Sequence, residues 1–301
     1  MNRTRLSPID ILGITLGVIV ILIVIGSVVV IAQGRMFDFR WSIPELRGSW
    51  ANPQLSIGGP VREEKDEKVT GDFAEIEVRS IAGSIEISGT SAAGVNVHSV
   101  KTALFRNAAD NVHVEIRKEG NRLVVEEKHE PRFFFPTGTI SFQVAIPRGV
   151  KLIDAHSVNG SITVHDVLPG IDQSLSTISG SVSTSRARNL NASSTSGQIQ
   201  FASDGALLNA RTVTGSIDGD IDSLDKGGSA RLSTVSGSVT LNAFPGLDAK
   251  ISLHSVSGRV SCDFPVTISE QKNNRLEGKI GAGAASVDAG TIIGSISINR
   301  K

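Results

Sequence analysis

The pattern of apolar and polar residues changes sharply along this chain. Residues 11–32 (ILGITLGVIVILIVIGSVVVIA) form 22 consecutive positions without a charge. About 20 apolar residues are enough for a helix to cross the hydrocarbon core of a bilayer. The pattern therefore predicts one transmembrane helix over 11–32.

A secretory signal peptide is the alternative explanation of this segment. Signal peptides have an apolar stretch of about 7–15 residues that ends in a small-x-small cleavage site. The stretch here is longer, and the residues around Ala32 form a poor cleavage signal, so an uncleaved anchor is favoured. Arg3 and Arg5 precede the span, and this slight basic bias favours a short cytoplasmic N-terminus (1–10) with the remainder outside.

Residues 33–69 combine aromatic residues close to the predicted span with a stretch rich in Pro, Gly and charge, as expected of a juxtamembrane segment and linker. Alternating strand patterns begin near residue 70. They are FAEIEVRS, GVNVHSV, NVHVEIRK, RLVVEEK and TISFQVAIP. Residues 70–150 are therefore expected to form a β-rich N-terminal part, or cap, of the repeat region 151–301.

A short repeat centred on a glycine dominates residues 151–301. Eight segments such as SVNGSITV and TVSGSVTL align, with glycines 20, 17, 18, 22, 21, 20 and 16 residues apart, and an earlier copy, IAGSIEIS, precedes them. The repeat glycines are Gly83, Gly160, Gly180, Gly197, Gly215, Gly237, Gly258, Gly278 and Gly294.

The position two residues after each glycine of the array is a β-branched aliphatic residue. These residues are Ile162, Val182, Ile199, Ile217, Val239, Val260, Ile280 and Ile296. Such residues favour strands, and a period near 19 residues suits a coil of short parallel strands that bury one apolar row on the next. We therefore predict an all-β fold, a single-stack β-solenoid (parallel β-helix-like) of about eight rungs, preceded by the transmembrane α-helix.

The apolar alternation changes phase once in each repeat. Leu232 has one parity, whereas Val235 and Val239 have the other, and the same change separates Leu253 from Val256. Since side chains alternate faces along a strand, burying all of these residues requires a bend before the glycine. The sequence thus predicts a corner at the Ser/Thr step and an inward position for Val235 and Val256.

The repeated x-V-S-G-S-V-x-V units, the preceding I-P-R-G-V-K-L strand at residues 146–152 and the single predicted anchor resemble the bacterial putative-adhesin domain family. The resemblance covers residues 70–301. It implies a β-solenoid fold, a location in the cell envelope and a domain of poorly defined function. It supplies neither a receptor nor catalytic residues.

Composition narrows the classes of function. The 30 basic and 30 acidic residues balance, which argues against nucleic-acid binding, because that affinity comes largely from clustered Lys and Arg. Cys262 is the one cysteine, so an internal disulfide and multi-cysteine metal sites are excluded. We expect this thiol to be buried as a small hydrophobic group.

Two segments are candidates for chemistry or contact. Asp218, Asp220 and Asp222 alternate in IDGDID and could bind calcium through oxygen ligands. A solvated turn is favoured, because the run lacks the glycine that follows the third acidic residue of an EF-hand loop and the Glu that closes it. Residues 133–135 (Phe133, Phe134, Phe135) form an apolar loop that could contact a membrane or partner. The alternative is that this loop plugs the end of the solenoid. No cofactor is expected.

These observations favour a membrane-anchored, non-catalytic envelope protein that presents a solenoid surface for adhesion, binding or scaffolding. Two alternatives stay open: a glycan-processing enzyme on a β-helix, which needs carboxylates of different rungs to converge, and a self-assembling scaffold or envelope-stress sensory subunit. Expected partners are the lipid bilayer through 11–32, an envelope protein or glycan, and further copies stacked end to end. The expected location is the bacterial cytoplasmic membrane, with the C-terminal domain in the periplasm or at the cell surface.

Overall fold

The computed structural model describes residues 60–104, 106–129 and 138–301. The N-terminus 1–10, the predicted span 11–32, the segment 33–59 and the phenylalanine loop 133–135 lie outside these ranges. Within them, no helix has the length and apolar character that crossing a membrane requires.

The described residues form 21 strands and one short helix. The first group is β1 (Val61–Val69), β2 (Glu75–Ala82), β3 (Ile85–Gly89), β4 (Val95–Ala103), α1 (Arg106–Asp110), β5 (Val112–Glu119), β6 (Arg122–His129) and β7 (Gly138–Ile146). The second group is β8 (Leu152–Asn159), β9 (Ile162–His165), β10 (Ile171–Ser179), β11 (Val182–Ser196), β12 (Ile199–Thr214), β13 (Ile217–Ile221), β14 (Ser229–Ser236), β15 (Val239–Ala243), β16 (Ala249–Ser257), β17 (Val260–Cys262), β18 (Thr267–Lys272), β19 (Arg275–Ile280), β20 (Ala285–Ile293) and β21 (Ile296–Arg300). All strands belong to one continuous sheet, so the all-β prediction is confirmed.

Most strands stack in parallel as two columns that meet at the repeat glycines. The first column runs through β2, β8, β10, the second halves of β11 and β12, then β14, β20 and β16. The second column runs through β3, β9, the first halves of β11 and β12, then β13, β15, β21 and β17. We call their outer surfaces face A and face B. Each glycine carries the chain from face A to face B.

Eight glycine-centred turns stack within the described residues, but not in sequence order. Strands β20 and β21, with Gly294, lie between the turn of Gly237 and the turn of Gly258. Gly278 does not join the stack, contrary to the repeat alignment. It lies in β19, which pairs antiparallel with β16 and places Gly278 opposite Ile251. Strand β19 also forms a hairpin with β18. Gly278 therefore fits the repeat pattern in sequence but does not form a turn of the stack.

The glycine column exists because successive turns approach too closely for a side chain. A Cβ atom at Gly215 would lie less than 3.0 Å from the carbonyl oxygen of Gly197, and one at Gly237 would meet that of Gly215 in the same way. The φ angle of Gly215 is +148°, a conformation that residues with a Cβ rarely adopt.

A row of buried hydroxyl groups fixes the corner three residues before each glycine. Thr234 donates to the carbonyl oxygen of Gly215 over 2.9 Å, and Ser255 donates to that of Gly294 over 2.9 Å. The same bond is made by Thr177, Ser194, Thr212 and Thr291. This hydroxyl ladder lies at the Ser/Thr step where the sequence predicts a bend.

The core between the two faces contains the predicted aliphatic column. Its buried members are Ile162, Val182, Ile199, Ile217, Val239 and Ile296, joined by Ile85 of the first turn. Val260, in the outermost turn, is half-buried, and Ile280 is buried in β19 rather than in the stack.

Antiparallel strands cover the first turn. Strands β6 and β7 extend the two columns in parallel with β2 and β3, after which β5, β4 and β1 add antiparallel strands. Residues 61–69, expected to be linker, therefore form the edge strand β1. Charges on both faces of this strand obscure its alternation, and some pair with β4, such as Lys101 with Glu63 at 3.2 Å. Charged edge strands resist unwanted strand pairing.

Candidate functional site

A shallow depression on face A is the main candidate binding surface, and we call it the polar shelf. It has a volume of about 470 Å³ and is lined by residues of β8, β10, β11, β12 and β14. Its polar and exposed lining includes Asp172, Asn189, Asn191, Leu207, Asn209 and Arg231.

Stacked amide groups organise the polar shelf. Asn189 donates through Nδ2 to Asp172 Oδ1 over 2.8 Å, and Asn209 donates to Asn191 Oδ1 over 2.9 Å. Parallel register places Asn191 beside Asn209, and Asn209 beside Arg231. The amide nitrogen of Asn191 donates to no residue within the described ranges, so its N–H groups are available to a ligand.

Apolar and charged groups lie next to these amides. The side chain of Leu207 is 55% exposed. Arg231 is also exposed and lies 4.0 Å from Asp288, too far for a firm ion pair. The shelf thus offers donors, acceptors and aliphatic surface within one shallow area, a combination suited to a ligand that carries many hydroxyl groups.

An ionic cluster borders the shelf on β2, β6 and β8. Glu77 is 1% exposed and is paired with Arg79 and with Arg122, whose Nη1 lies 3.2 Å from Glu77 Oε2. Asp154 lies beside Glu77 in the parallel register. Carboxylates of different turns therefore do converge here, but Glu77 is engaged by two guanidinium groups and Asp154 by the imidazole of His156. Removing one partner of a buried ion pair is strongly destabilising.

Asp154, His156 and Ser176 form a line of contacts in this cluster. His156 Nε2 lies 2.9 Å from Asp154 Oδ1, and His156 Nδ1 contacts the hydroxyl oxygen of Ser176. The hydrogen bond to Asp154 raises the pKa of His156 against the opposing effect of burial. Burial acts to raise the pKa of Asp154, but hydrogen bonds from His156 and Ser174 outweigh it and lower that pKa.

Asp, His and Ser also form the catalytic triad of many hydrolases. Whether Ser176 could act as a nucleophile therefore depends on its surroundings. Hydrolases of that kind hold the developing oxyanion with preorganised donors, usually backbone N–H groups. Ser176 lies in the middle of β10, which is hydrogen-bonded on both sides, to β8 and to β11. The backbone around Ser176 is therefore engaged in the ladder, and the described geometry suits a positioning hydrogen bond.

The aspartates singled out by the sequence lie on and just after β13, on face B. Asp218 accepts from Gln198, Asp220 accepts from Asn242 over 3.2 Å, and Asp222 accepts from Lys301 over 2.7 Å. No group of three acidic, His or Cys side chains within the described part of the chain is placed to hold a metal ion. Burial opposes the charge of Lys301, but its hydrogen bond to Asp222 and the charge of Asp220 outweigh that effect and raise its pKa.

Cys262 is half-buried in β17 and packs against the core. Burial raises the pKa of its thiol. The protonated, less reactive form is therefore favoured at neutral pH.

The structure also reveals an exposed aliphatic column that sequence reasoning missed, and we call it the apolar ridge. It comprises the residue two positions before each stacked glycine, in stacking order Ile81, Val158, Ile178, Thr195, Val213, Val235, Ile292 and Val256. The prediction that Val235 and Val256 face inward is wrong, since they are 43% and 59% exposed. The bend at the hydroxyl ladder turns the next two residues outward together. The Val or Ile that recurs two positions before the glycine is the sequence feature from which this column could have been predicted.

The described fold and surfaces define a class of protein: a stacked-strand repeat protein that presents two continuous faces and an apolar corner. The chain belongs to the toastrack DUF4097 family, whose model matches residues 73–299. This membership supports the resemblance to putative-adhesin domains. No curated protein matches the chain.

Several solved structures are similar to this chain at low identity. A putative cell adhesion protein from Clostridium sporogenes is 11% identical, with a TM-score of 0.37, over 80% of this chain and 100% of that one. A putative adhesin from Bacteroides fragilis is 11% identical, with a TM-score of 0.39, over 79% and 97%. A putative lipid binding protein from Parabacteroides distasonis is 14% identical, with a TM-score of 0.35, over 81% and 97%.

Proposed function

We propose that this protein is a membrane-anchored, non-catalytic cell-envelope protein whose polar shelf binds a hydroxyl-rich ligand, an envelope glycan. The observation that carries the proposal is the stacking of Asn191, Asn209 and Arg231 beside the exposed Leu207 on an open face. The apolar segment 11–32 supports the anchoring part of the proposal, with the stacked-strand domain held outside the cytoplasm.

The chemical groups of a glycan are complementary to those of the polar shelf. Its hydroxyl groups both donate and accept, as the amides do, and its C–H surface can cover Leu207. Adjacent turns repeat about every 4.8 Å, so a linear polymer running along the stack meets similar groups at each step. Individual contacts of this kind are weak, and repetition along the chain makes them effective.

The test is binding of the full chain, held in detergent, to immobilised peptidoglycan fragments and to a neutral polysaccharide. Combining Asn191→Ala with Arg231→Ala removes two hydrogen-bonding groups, each contributing about 1 kcal/mol, so affinity should fall by at least about tenfold. The matched control is Asn242→Ala, which removes a similar amide on face B, where Asn299 donates to Asn242 over 2.9 Å. That control should bind like the unmodified chain.

Two results would contradict the proposal. Equal loss in the control and in the shelf variant would mean that face A has no special role. Turnover of a glycan or ester substrate that disappears with Ser176→Ala would replace the non-catalytic function with an enzymatic one.

Anchoring is tested separately by fractionating cells that express the full chain. The chain should remain with the membrane after a high-salt wash, and deletion of residues 11–32 should release it. Retention of the deleted form in the membrane fraction would show that another part of the chain holds it there.

A further inference from the structure

We propose that the ligand of the polar shelf carries an acidic group, a carboxylate or a phosphate, and that Arg211 and Arg231 bind this group together. The inference rests on the proposed glycan-binding function and deepens it, because it makes the glycan an acidic one. The acidic group binds on a surface formed by Arg211, Arg231, Ser233 and Gly290, which borders the shelf on face A. We call this surface the basic notch.

The strand register brings the two arginine side chains to one place. Arg211 lies opposite Ser233 in the parallel pairing of β12 with β14, and Arg231 precedes Ser233 by two residues. Residues two positions apart on a strand point to the same face, so both arginines project from face A on neighbouring strands. Diagonal neighbours of this kind lie about 7–8 Å apart, and two long guanidinium side chains can therefore reach one ligand group between them.

Both guanidinium groups keep donors available for a ligand. Arg211 donates through Nε to the hydroxyl oxygen of Ser233 over 3.3 Å, and it forms no ion pair within the described ranges. Nη2 of Arg231 lies 4.0 Å from Asp288 Oδ2, and these side chains are 65% and 45% exposed. Exposed ion pairs contribute little, so an anion that approaches Arg231 has only a weak contact to displace.

The floor of the notch is low. Ser233 has a small side chain, and Gly290, its neighbour in the pairing of β14 with β20, has none. A Cβ atom at Gly290 would meet only the backbone oxygen of His254, at 4.0 Å, apart from its own chain neighbours. The missing side chain therefore leaves open space. A carboxylate or phosphate over Ser233 can approach the planar guanidinium groups edge-on, the bidentate geometry that arginine favours.

The notch is continuous with the polar shelf. Asn209 lies two residues before Arg211 on β12 and beside Arg231 in the register, and Asn191 lies beside Asn209. A sugar whose hydroxyl groups bond to these amides therefore extends a substituent over the notch. Neutral glycans would use the amides alone, whereas acidic glycans add charge-assisted hydrogen bonds, which are about twice as strong as neutral ones.

The arginines of the ionic cluster fit an acidic ligand less well. Arg122 donates through Nε to Glu75 Oε1 over 2.7 Å and also pairs with Glu77. Arg79 contacts Glu77 as well. These guanidinium groups are already engaged by carboxylates, so an anion would have to compete with them. The acidic group of the ligand is therefore directed to the β12–β14 end of the shelf.

The test compares two forms of one polysaccharide. The full chain, held in detergent, is offered immobilised polygalacturonate and the same polymer after complete methyl esterification, which removes the charges and keeps the hydroxyl groups. Poly(glycerol phosphate), offered in parallel, shows whether the notch takes phosphate instead of carboxylate. One of the two charged polymers should bind at least about tenfold more tightly than the ester at about 0.05 M salt. Most of this difference should disappear at about 0.5 M salt, because exposed charges are screened.

Variants locate the effect on the chain. Arg211→Gln should abolish the preference for the charged polymer and retain binding of the ester, because Asn191 and Asn209 are unchanged. The matched control is Arg259→Gln, which removes an exposed arginine next to the glycine corner and should bind like the unmodified chain. Gly290→Leu fills the notch at a position without a left-handed φ. It should lower affinity for the charged polymer while leaving the circular dichroism spectrum unchanged.

The outcomes separate this proposal from the glycan-binding function. If neither charged polymer binds more tightly than the ester, the acidic ligand is overturned while glycan binding stands. Equal losses for Arg259→Gln and Arg211→Gln, or full binding by Gly290→Leu, would likewise overturn the notch as the site of the acidic group. Failure of all three polymers and of the peptidoglycan fragments to bind would overturn both proposals.

Discussion

Replacing Gly215 with alanine tests whether the spacing of turns depends on the absence of side chains. The new Cβ would lie less than 3.0 Å from both the carbonyl oxygen and the carbonyl carbon of Gly197. Its backbone would also keep a φ near +148°. Either the two turns separate and lose ladder bonds, or the corner changes conformation.

Two further glycines separate the causes. Gly227 has a φ of +80°, but a methyl group added to it would meet nothing within 4 Å, so Gly227→Ala carries only the backbone cost, about 1–2 kcal/mol. Gly149 has open space and no left-handed φ, and Gly149→Ala should be neutral or slightly stabilising. For Gly215→Ala, the added backbone clash should bring the total loss to at least about 4 kcal/mol, in the exceptional range for one substitution.

Amide hydrogen exchange on the full chain is the appropriate assay, because stacked repeats open locally. The free energy of opening should fall most in β12 and β13, the strands on either side of the altered turn. A loss for Gly215→Ala within about 1 kcal/mol of that for Gly227→Ala would refute the steric explanation. The stack would then be loose enough to accept a methyl group at every turn.

Three further changes probe other parts of the structure. Thr234→Val removes the hydroxyl that bonds the carbonyl oxygen of Gly215 and should cost about 1 kcal/mol of unfolding free energy in urea titrations, whereas Thr240→Val on face B should cost less. Ile217→Ala empties part of the fully buried column and should cost about 2–5 kcal/mol in the same assay. Since the folded pKa of His156 is raised above 6.5, its stabilising contribution is complete below that pH and is lost as pH rises through the folded value. NMR titration should find this raised pKa, and Asp154→Asn should lower it.

The sequence predicts the repeat unit well because each turn encodes the same local requirements. A glycine is needed where the backbones of two turns touch, and a β-branched residue is needed two positions later in the core. Three positions before the glycine, Ser or Thr is needed to donate to the carbonyl oxygen of the glycine in the neighbouring turn. The strand segments between residues 70 and 150 were predictable for a similar reason, since alternation marks a half-buried strand.

The order of the turns could not be predicted from the same signals. Every turn presents an equivalent edge, so no local pattern states that the turn of Gly294 lies between those of Gly237 and Gly258. The hairpin strand that contains Gly278 meets the repeat consensus although it pairs antiparallel. Likewise, hydrogen-bond register, not residue type, brings Asn191 and Asn209 together on the polar shelf.

The displaced position of β20 and β21 has a consequence for how the chain is made. The turn of Gly258 leaves the ribosome before the turn of Gly294, yet it can reach its place only after the later strands have bound to β14 and β15. The contact of β20 and β21 with β14 and β15 places Gly294 next to Gly237, which lies 57 residues earlier in the chain. Most neighbouring glycines in the stack are only about 20 residues apart. Vectorial folding from the first turn onward must therefore pause near its end, with β16 waiting for the last strands to be synthesised.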